Sequence, residues 1–300
     1  MRESLDGWLV LDKPLGLSSA AAVARVRRAL GVAKAGHGGT LDPLATGVLP
    51  IALGEATKTM SFVMNGAKIY RFKLRWGAET STDDLEGEVT ATSPQRPTPE
   101  MLARVLPEFR GIILQVPPAF SAIKVEGERA YARARRGSQL LLAPREVEIK
   151  SLELLSVTPD EAEFALRCGK GTYVRAIARD LGRRLGCFAH IVELRRVACG
   201  PFTEADMISL AKLEEFGHNT AGRKAIASAL RPLRTALDDI PALALSEAEA
   251  GRLRQGQPVR LRAPETQPER STVLVLDGDK PVALADVEHG IVRPRRVFNL

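Results

Sequence analysis

The stretch Gly36-His37-Gly38-Gly39-Thr40-Leu41-Asp42-Pro43-Leu44-Ala45-Thr46-Gly47-Val48-Leu49-Pro50 sets one carboxylate, Asp42, between a glycine-rich turn and an apolar run that continues to Leu53. Glycines let a loop bend closely around a ligand. A carboxylate held in such a loop can add covalently to an electrophilic carbon or assist a departing group. It must stay ionised and well aimed, which an arginine guanidinium achieves through a fixed, two-pronged pairing. An Asp-Pro pair by itself is only a turn signal, so its company decides. Metal chemistry has little to work with. The cysteines, Cys168, Cys187 and Cys199, are odd in number and lack C-x-x-C spacing, and the four histidines, His37, His190, His218 and His289, are scattered. That pattern is neither a disulfide frame nor a zinc site. The glycine loops at 36–39 and 54–58 lack Gly-Lys-Ser/Thr at Walker spacing, which argues against a nucleoside triphosphate binder.

Short elements must hold this loop. Gly7–Leu11 reads as an apolar strand running into the turn Asp12-Lys13-Pro14-Leu15-Gly16. Ser18 is placed to cap a helix over about residues 19–30, ended by Gly31, with Val23, Val26 and Leu30 on one face. Arg25 and Arg28 lean outward, as solvated surface or as RNA contacts. Lys68–Trp76 alternates basic and apolar residues, the period-two mark of a half-exposed strand. Further strands are expected at 147–150 and 162–167, and helices near 99–108 and 174–186, the latter carrying Arg175, Arg179, Arg183 and Arg184. Strands and helices mix without a βαβ rhythm, so the expected class is α+β with a largely antiparallel sheet. The pattern weakens at 217–222, which places a domain boundary between there and Pro241 and divides the chain into 1–240 and 241–300. The tail reads as a small β-rich unit, with a hairpin turn at Asp277-Gly278-Asp279.

The chain has 43 Lys+Arg against 36 Asp+Glu, a net charge of +7. That balance favours a polyanionic partner, because neutralising phosphates releases counterions. Aromatics make up only 5%, too few for a broad base-stacking platform. Shape and phosphate contacts are the expected mode. The start, Met1-Arg2-Glu3-Ser4-Leu5-Asp6, lacks a signal peptide's apolar run, and no apolar segment is long enough to span a bilayer. A soluble, cytoplasmic protein is expected.

Seven blocks in order, from about Gly7 to Phe202, resemble the TruB family, the bacterial tRNA pseudouridine-55 synthases. They are Leu11–Ser19, the Asp42 loop, Lys68–Arg71, Gly77–Gly87, Pro117–Gly137, Cys168–Arg175 with Asp180-Leu181-Gly182, and Ala189-His190 with Leu194-Arg195-Arg196 and Gly200-Pro201-Phe202. Two departures stand beside key residues: Gly38-Gly39 where many relatives have Thr-Gly, and Gly169 where Ser is common. The resemblance implies a pseudouridine synthase fold with a central mixed, mainly antiparallel sheet and a PUA-like C-terminal domain. It implies an isomerase that turns uridine into pseudouridine at position 55 of the tRNA T-loop, with no metal and no cofactor.

Under that resemblance Asp42 is the nucleophile and Arg175 its partner, while Tyr70 stacks on the base and relays the C5 proton. His37, Lys13, Tyr173 and Leu194 are the implied substrate-binding residues, with His37 placing a flipped-out nucleotide. Taken singly, each of these residues has an ordinary structural reading: a surface arginine, an edge tyrosine, a core leucine. The implied partner is the T-arm stem-loop of tRNA, bound by a monomer without guide RNA, obligate protein partner or membrane. Basic side chains along 124–136 and 175–196 are expected on its phosphates. An RNA chaperone without turnover and a guide-dependent enzyme are the competing readings.

Overall fold

The computed structural model describes residues 5–121, 123–125, 127–136, 142–217, 220–261 and 271–300. Alternation in Lys68–Trp76 becomes a strand with Tyr70, Phe72, Leu74 and Trp76 buried and Arg71 and Arg75 exposed. It lies inside a ten-stranded sheet whose main path runs Met207–Ser209, Gly7–Lys13, Ala45–Leu53, Ala189–Cys199, Lys68–Trp76, Glu161–Cys168, Arg145–Val157, Gly111–Gln115. Two pairings are parallel, Gly7–Lys13 with Met207–Ser209 and Ala45–Leu53 with Ala189–Cys199. The other pairings are antiparallel, so the sheet is mixed but mainly antiparallel.

The unbroken apolar runs are strands covered on both faces, which is why they do not alternate. In Gly7–Lys13, Leu9 and Leu11 enter one core while Trp8 and Val10 enter another. In Ala45–Leu53, Leu49, Ile51 and Leu53 face the first core and Val48 and Ala52 the second. The first core is roofed by helices. Ser19–Leu30 contributes Ala22, Val26 and Leu30, Val174–Arg184 contributes Ile177 and Leu181, and Leu210–Gly217 contributes Leu213.

Ser18 caps the first helix by accepting from the Ala21 N–H at 3.2 Å, and Gly31 ends it at a left-handed φ of 62°. Val23 is only half-buried, and Ala22 takes the place on the buried face expected of it. The helix expected near 99–108 is α-helical over Pro99–Val105 and tightens to 3₁₀ over Leu106–Phe109, where Pro107 has no N–H to continue the ladder. The one expected over 174–186 closes at Arg184.

The weak stretch at 217–222 falls where helix Leu210–Gly217 ends and helix Thr220–Ala229 begins. Gly222 packs there against the Phe216 backbone. His218 and Asn219 lie outside the described residues.

A five-stranded sheet follows, in the order Ala242–Ala244, Ser271–Asp277, Lys280–Glu288, Ile291–Val297, Val259–Arg260. The expected hairpin joins Ser271–Asp277 to Lys280–Glu288. Leu274, Leu284 and Phe298 of this β-rich unit complete the second core beside Trp8 and Phe202. Lys58 Nζ donates to the Val297 carbonyl at 2.7 Å and the Asn299 N–H to Glu55 at 2.8 Å, fastening the same seam.

Candidate active site

Both sides of the Asp42 loop are tied down through backbone groups. Ser19, buried at the start of its helix, donates to the Leu41 carbonyl and accepts from the Leu41 N–H, each at 2.8 Å. Lys13 is fully buried and gives its ammonium protons to the carbonyls of Leu17 at 2.6 Å, Pro14 at 3.0 Å and Pro43 at 3.3 Å. Burial pushes Lys13 down to about 8, opposed by the Asp42 charge and helped by that of Arg196. With its N–H groups spent on carbonyls, Lys13 sits under the loop as a strut.

On the opposite side, Arg196 donates to Val48 at 2.8 Å, Gly39 at 3.0 Å and Thr40 at 3.2 Å. Gly38, where many relatives are expected to carry Thr, is closely packed. A Cβ there would stand 2.7 Å from Val63 and 3.3 Å from Trp8.

The loop presents a half-exposed Asp42 to a buried Arg175, side chains 38% and 5% accessible respectively. Arg175 Nε donates to Asp42 Oδ2 at 2.9 Å. The expected two-pronged pairing is not what forms. The other two arms of the guanidinium donate to the Thr82 carbonyl at 2.7 Å and the Phe120 carbonyl at 2.9 Å. Oδ1 of Asp42 has no hydrogen bond among the described residues. Arg175 therefore fixes the carboxylate by one oxygen and leaves the other open among the described residues. Asp84 Oδ2 lies 3.6 Å from the same Nε, a second buried anion beside the pair.

Arg179 and Arg183 follow at four-residue spacing, on the same helix face as Arg175. Arg179 binds Asp83 at 3.1 Å, Asp180 at 2.8 Å and the Val116 carbonyl at 2.8 Å, and Arg183 binds Glu79 through two contacts of 2.6 Å. Arg184 pairs with Glu108, and Arg195 with Asp12 and Glu204. The arginines expected on phosphates along 175–196 thus hold protein partners, because acidic and carbonyl groups from distant segments converge on them. On the 124–136 segment Arg136 pairs with Glu128, and the side chains of Lys124, Arg129 and Arg135 lie outside the described residues. Arg25, expected at the surface, pairs with Glu214.

Tyr70 stands opposite Arg196 and Leu166 in the sheet. Burial pushes its phenol up to about 12, with Arg196 pulling the other way, so Tyr70 keeps its proton at neutral pH. Leu194, buried, is opposite Phe72 and Ala45 and reaches the same end of the sheet as the loop. His37 ends the short strand Ala35–His37 with Nδ1 buried and without a hydrogen-bond partner among the described residues. Burial first and Arg196 second lower its pKa, so the ring is neutral. Tyr173 precedes the Arg175 helix, held by Gln115, which accepts from its N–H at 2.9 Å and donates to its carbonyl at 3.1 Å. Burial raises the Tyr173 phenol, Asp42 adds to this and Arg175 opposes it, so the ring shares the electrostatics of the pair.

Ser19, Gln115 and Asp84 went unassigned in the sequence, and Arg196, one of the basic side chains expected on phosphates along 175–196, is instead buried against carbonyls. Of these, only Arg196 left a signal in the sequence: two residues after Leu194, it must point to the same face of the strand while Arg195 points away. Among the described residues, no group of three or more His, Cys, Asp or Glu side chains is placed to hold a metal ion. No helix among them is long and apolar enough to cross a membrane.

The TruB family pseudouridylate synthase N-terminal domain matches residues 27–174. The tRNA pseudouridylate synthase B C-terminal domain matches 175–238, and the pseudouridine synthase II TruB C-terminal domain matches 241–298. A Bradyrhizobium diazoefficiens protein named tRNA pseudouridine synthase B is 54% identical over 301 residues, covering 100% of this chain and 87% of its own. The chain belongs to the TruB family. Other TruB members of the same name are 52% identical in Rhodopseudomonas palustris, covering 100% of this chain and 82% of the relative, and 47% identical in Brucella ovis, covering 98% and 96%. The pseudouridine synthase fold recurs in a crystal structure of a Cbf5-Nop10-Gar1 complex, with a TM-score of 0.74 and 26% identity over 98% of this chain and 85% of that one.

Proposed function

We propose that this TruB chain isomerises uridine to pseudouridine at position 55 in the T-loop of tRNA, acting alone, with Asp42 as nucleophile. The observation that carries this reading is the half-exposed carboxylate held by Arg175 through one oxygen, with the second oxygen open. Pseudouridine forms when the N1–C1′ bond breaks, the base turns and C5 bonds to C1′. A proton leaves C5 and one arrives at N1, so the sum is an isomerisation that needs no redox partner.

Asp42 adds to C1′ or to C6, or assists departure of the base through a glycal. Tyr70, protonated, stacks on the uracil and relays the C5 proton, while Leu194 walls the ring and Tyr173 lies beside the pair. The target base must first leave the folded loop, at a cost of roughly a few kcal/mol. His37, neutral and with an unpartnered Nδ1, suits a place on the extruded nucleotide. Residues 1–240 carry catalysis and 241–300 form a PUA-like RNA-binding unit.

A guide-dependent reading is weaker, since relatives named tRNA pseudouridine synthase B reach 54% identity and the Cbf5 chain 26%. Incubation of the purified protein with unmodified tRNA transcript should place pseudouridine at position 55 without added RNA. No product, or product only with a guide, would refute the reading. Asp42→Asn keeps size and hydrogen bonding but removes the nucleophile, so turnover should vanish with tRNA affinity kept. A variant within about tenfold of wild type, about 1.4 kcal/mol of barrier, would exclude Asp42 as the nucleophile.

A further inference from the structure

We propose that Arg196 is a positioning residue of the reaction: it locks the loop that carries Asp42 and holds, beside Tyr70 and His37, a positive charge bonded to carbonyls and to no carboxylate among the described residues. This rests on the isomerase reading above.

The side chain is 1% accessible, among the largest fully buried in the protein. Its three arms go to the carbonyls of Gly39 and Thr40, just before Asp42, and of Val48, within the strand Ala45–Leu53 that follows the loop. In the sheet the same residue faces Gly47 on one side and Tyr70 on the other. One guanidinium therefore ties the segment before Asp42 and the strand after it to Ala189–Cys199, which pairs in turn with the strand that bears the tyrosine. A planar fork spans three carbonyls in a way a single ammonium cannot.

None of its hydrogen bonds among the described residues goes to a carboxylate. A buried cation without an anion costs several kcal/mol before local dipoles offset it, and the carbonyl cluster is what offsets it here. The charge is felt around the site. It pushes His37 and Lys13 toward their neutral forms and opposes the effect of burial on Tyr70. Arg195, its neighbour, faces the other way and has ordinary acidic partners. The arrangement keeps the loop still while the base leaves, and keeps positive potential behind the ring that receives the electron-rich base.

The experiment uses the full chain with Arg196→Met and Arg196→Lys. Arg196→Met should slow the single-turnover step on tRNA about hundredfold or more, with tRNA affinity within about threefold of wild type. The imidazole titration of His37, followed by NMR and assigned with His37→Gln, should move upward, since a nearby cation disfavours protonation. Arg196→Lys keeps the charge and should return the His37 titration toward wild type while the rate stays low.

The titration needs no RNA, so it tests the charge even if the reaction assigned above is wrong. A folded Arg196→Met with His37 unmoved overturns the electrostatic role, and one with a rate within about threefold of wild type overturns the positioning role. If Arg196→Met fails to fold, Arg196→Lys decides. A slow step at unchanged affinity supports the proposal, and wild-type rate refutes it.

Discussion

Replacing Arg175 separates aim from mere charge. Its guanidinium makes three hydrogen bonds, to Asp42 Oδ2 at 2.9 Å, Thr82 O at 2.7 Å and Phe120 O at 2.9 Å, and is 5% accessible. Arg175→Met leaves two carbonyls and the buried Asp84 without their cation. Breaking a buried pair in this way costs about 3–5 kcal/mol, which lowers the melting temperature by roughly 5–8 °C in a chain of this size.

Arg175→Lys is the sharper test. One ammonium can keep the contact with Asp42 or those with the carbonyls, but not all three, so stability should fall by about 1–3 kcal/mol. The carboxylate then swings by a fraction of its own length, and a misplacement of about 1 Å costs about a hundredfold in rate. Single-turnover conversion of a tRNA transcript measures the chemical step, and filter binding measures affinity. The rate should fall about a hundredfold while the dissociation constant moves by less than about threefold. If Arg175→Lys reacts at wild-type rate, the fork geometry is irrelevant. If the whole loss lies in affinity, Arg175 binds RNA and does not aim Asp42.

Asp83, buried beside Arg179, titrates at about 6 where an ordinary aspartate does so at 3.8, because burial outweighs the arginine. Between those values the native state holds more proton than the unfolded chain, so stability falls as pH rises from about 4 to about 6, by roughly 3 kcal/mol. Asp83→Asn should abolish that slope in urea unfolding; a stability difference independent of pH would contradict it. Phe298, 2% accessible against the Trp8 and Phe202 core, should cost about 3–5 kcal/mol on truncation to Ala. A loss below about 1 kcal/mol would mean the C-terminal sheet is not packed there. Affinity for tRNA should fall with salt by roughly 0.7–0.9 log units per log unit for each phosphate neutralised. Arg183→Ala and Arg184→Ala should leave that slope unchanged, since Glu79 and Glu108 hold them. A slope reduced by about one in either variant would put that arginine on a phosphate.

Sequence alone carried whatever is local. The alternation in Lys68–Trp76, the Ser18 cap, the Gly31 stop and the hairpin at Asp277-Gly278-Asp279 all depend on neighbours a few positions away. They appear where their residues predict. The family motifs named Asp42, Tyr70 and Arg175 for the same reason: each sits in a block that can be read without knowing what it touches.

Contacts across long separations were decided by strand register and helix docking. Asp42 and Arg175 are 133 positions apart, and their single-pronged geometry follows from Thr82 and Phe120 taking the remaining arms. Nothing near Lys13 in the chain announces that its ammonium will end under Pro43, 30 positions away. The same holds for Arg196, which meets Gly39 across 157 positions only because the strand Ala189–Cys199 lies between Ala45–Leu53 and Lys68–Trp76. The apolar runs Gly7–Leu11 and Val48–Leu53 looked like plain strands. That they bury both faces, one under helices and one under the C-terminal sheet, required the second layer to be in place. A side chain's type sets what it can bond, and the register sets which distant group is there to bond it.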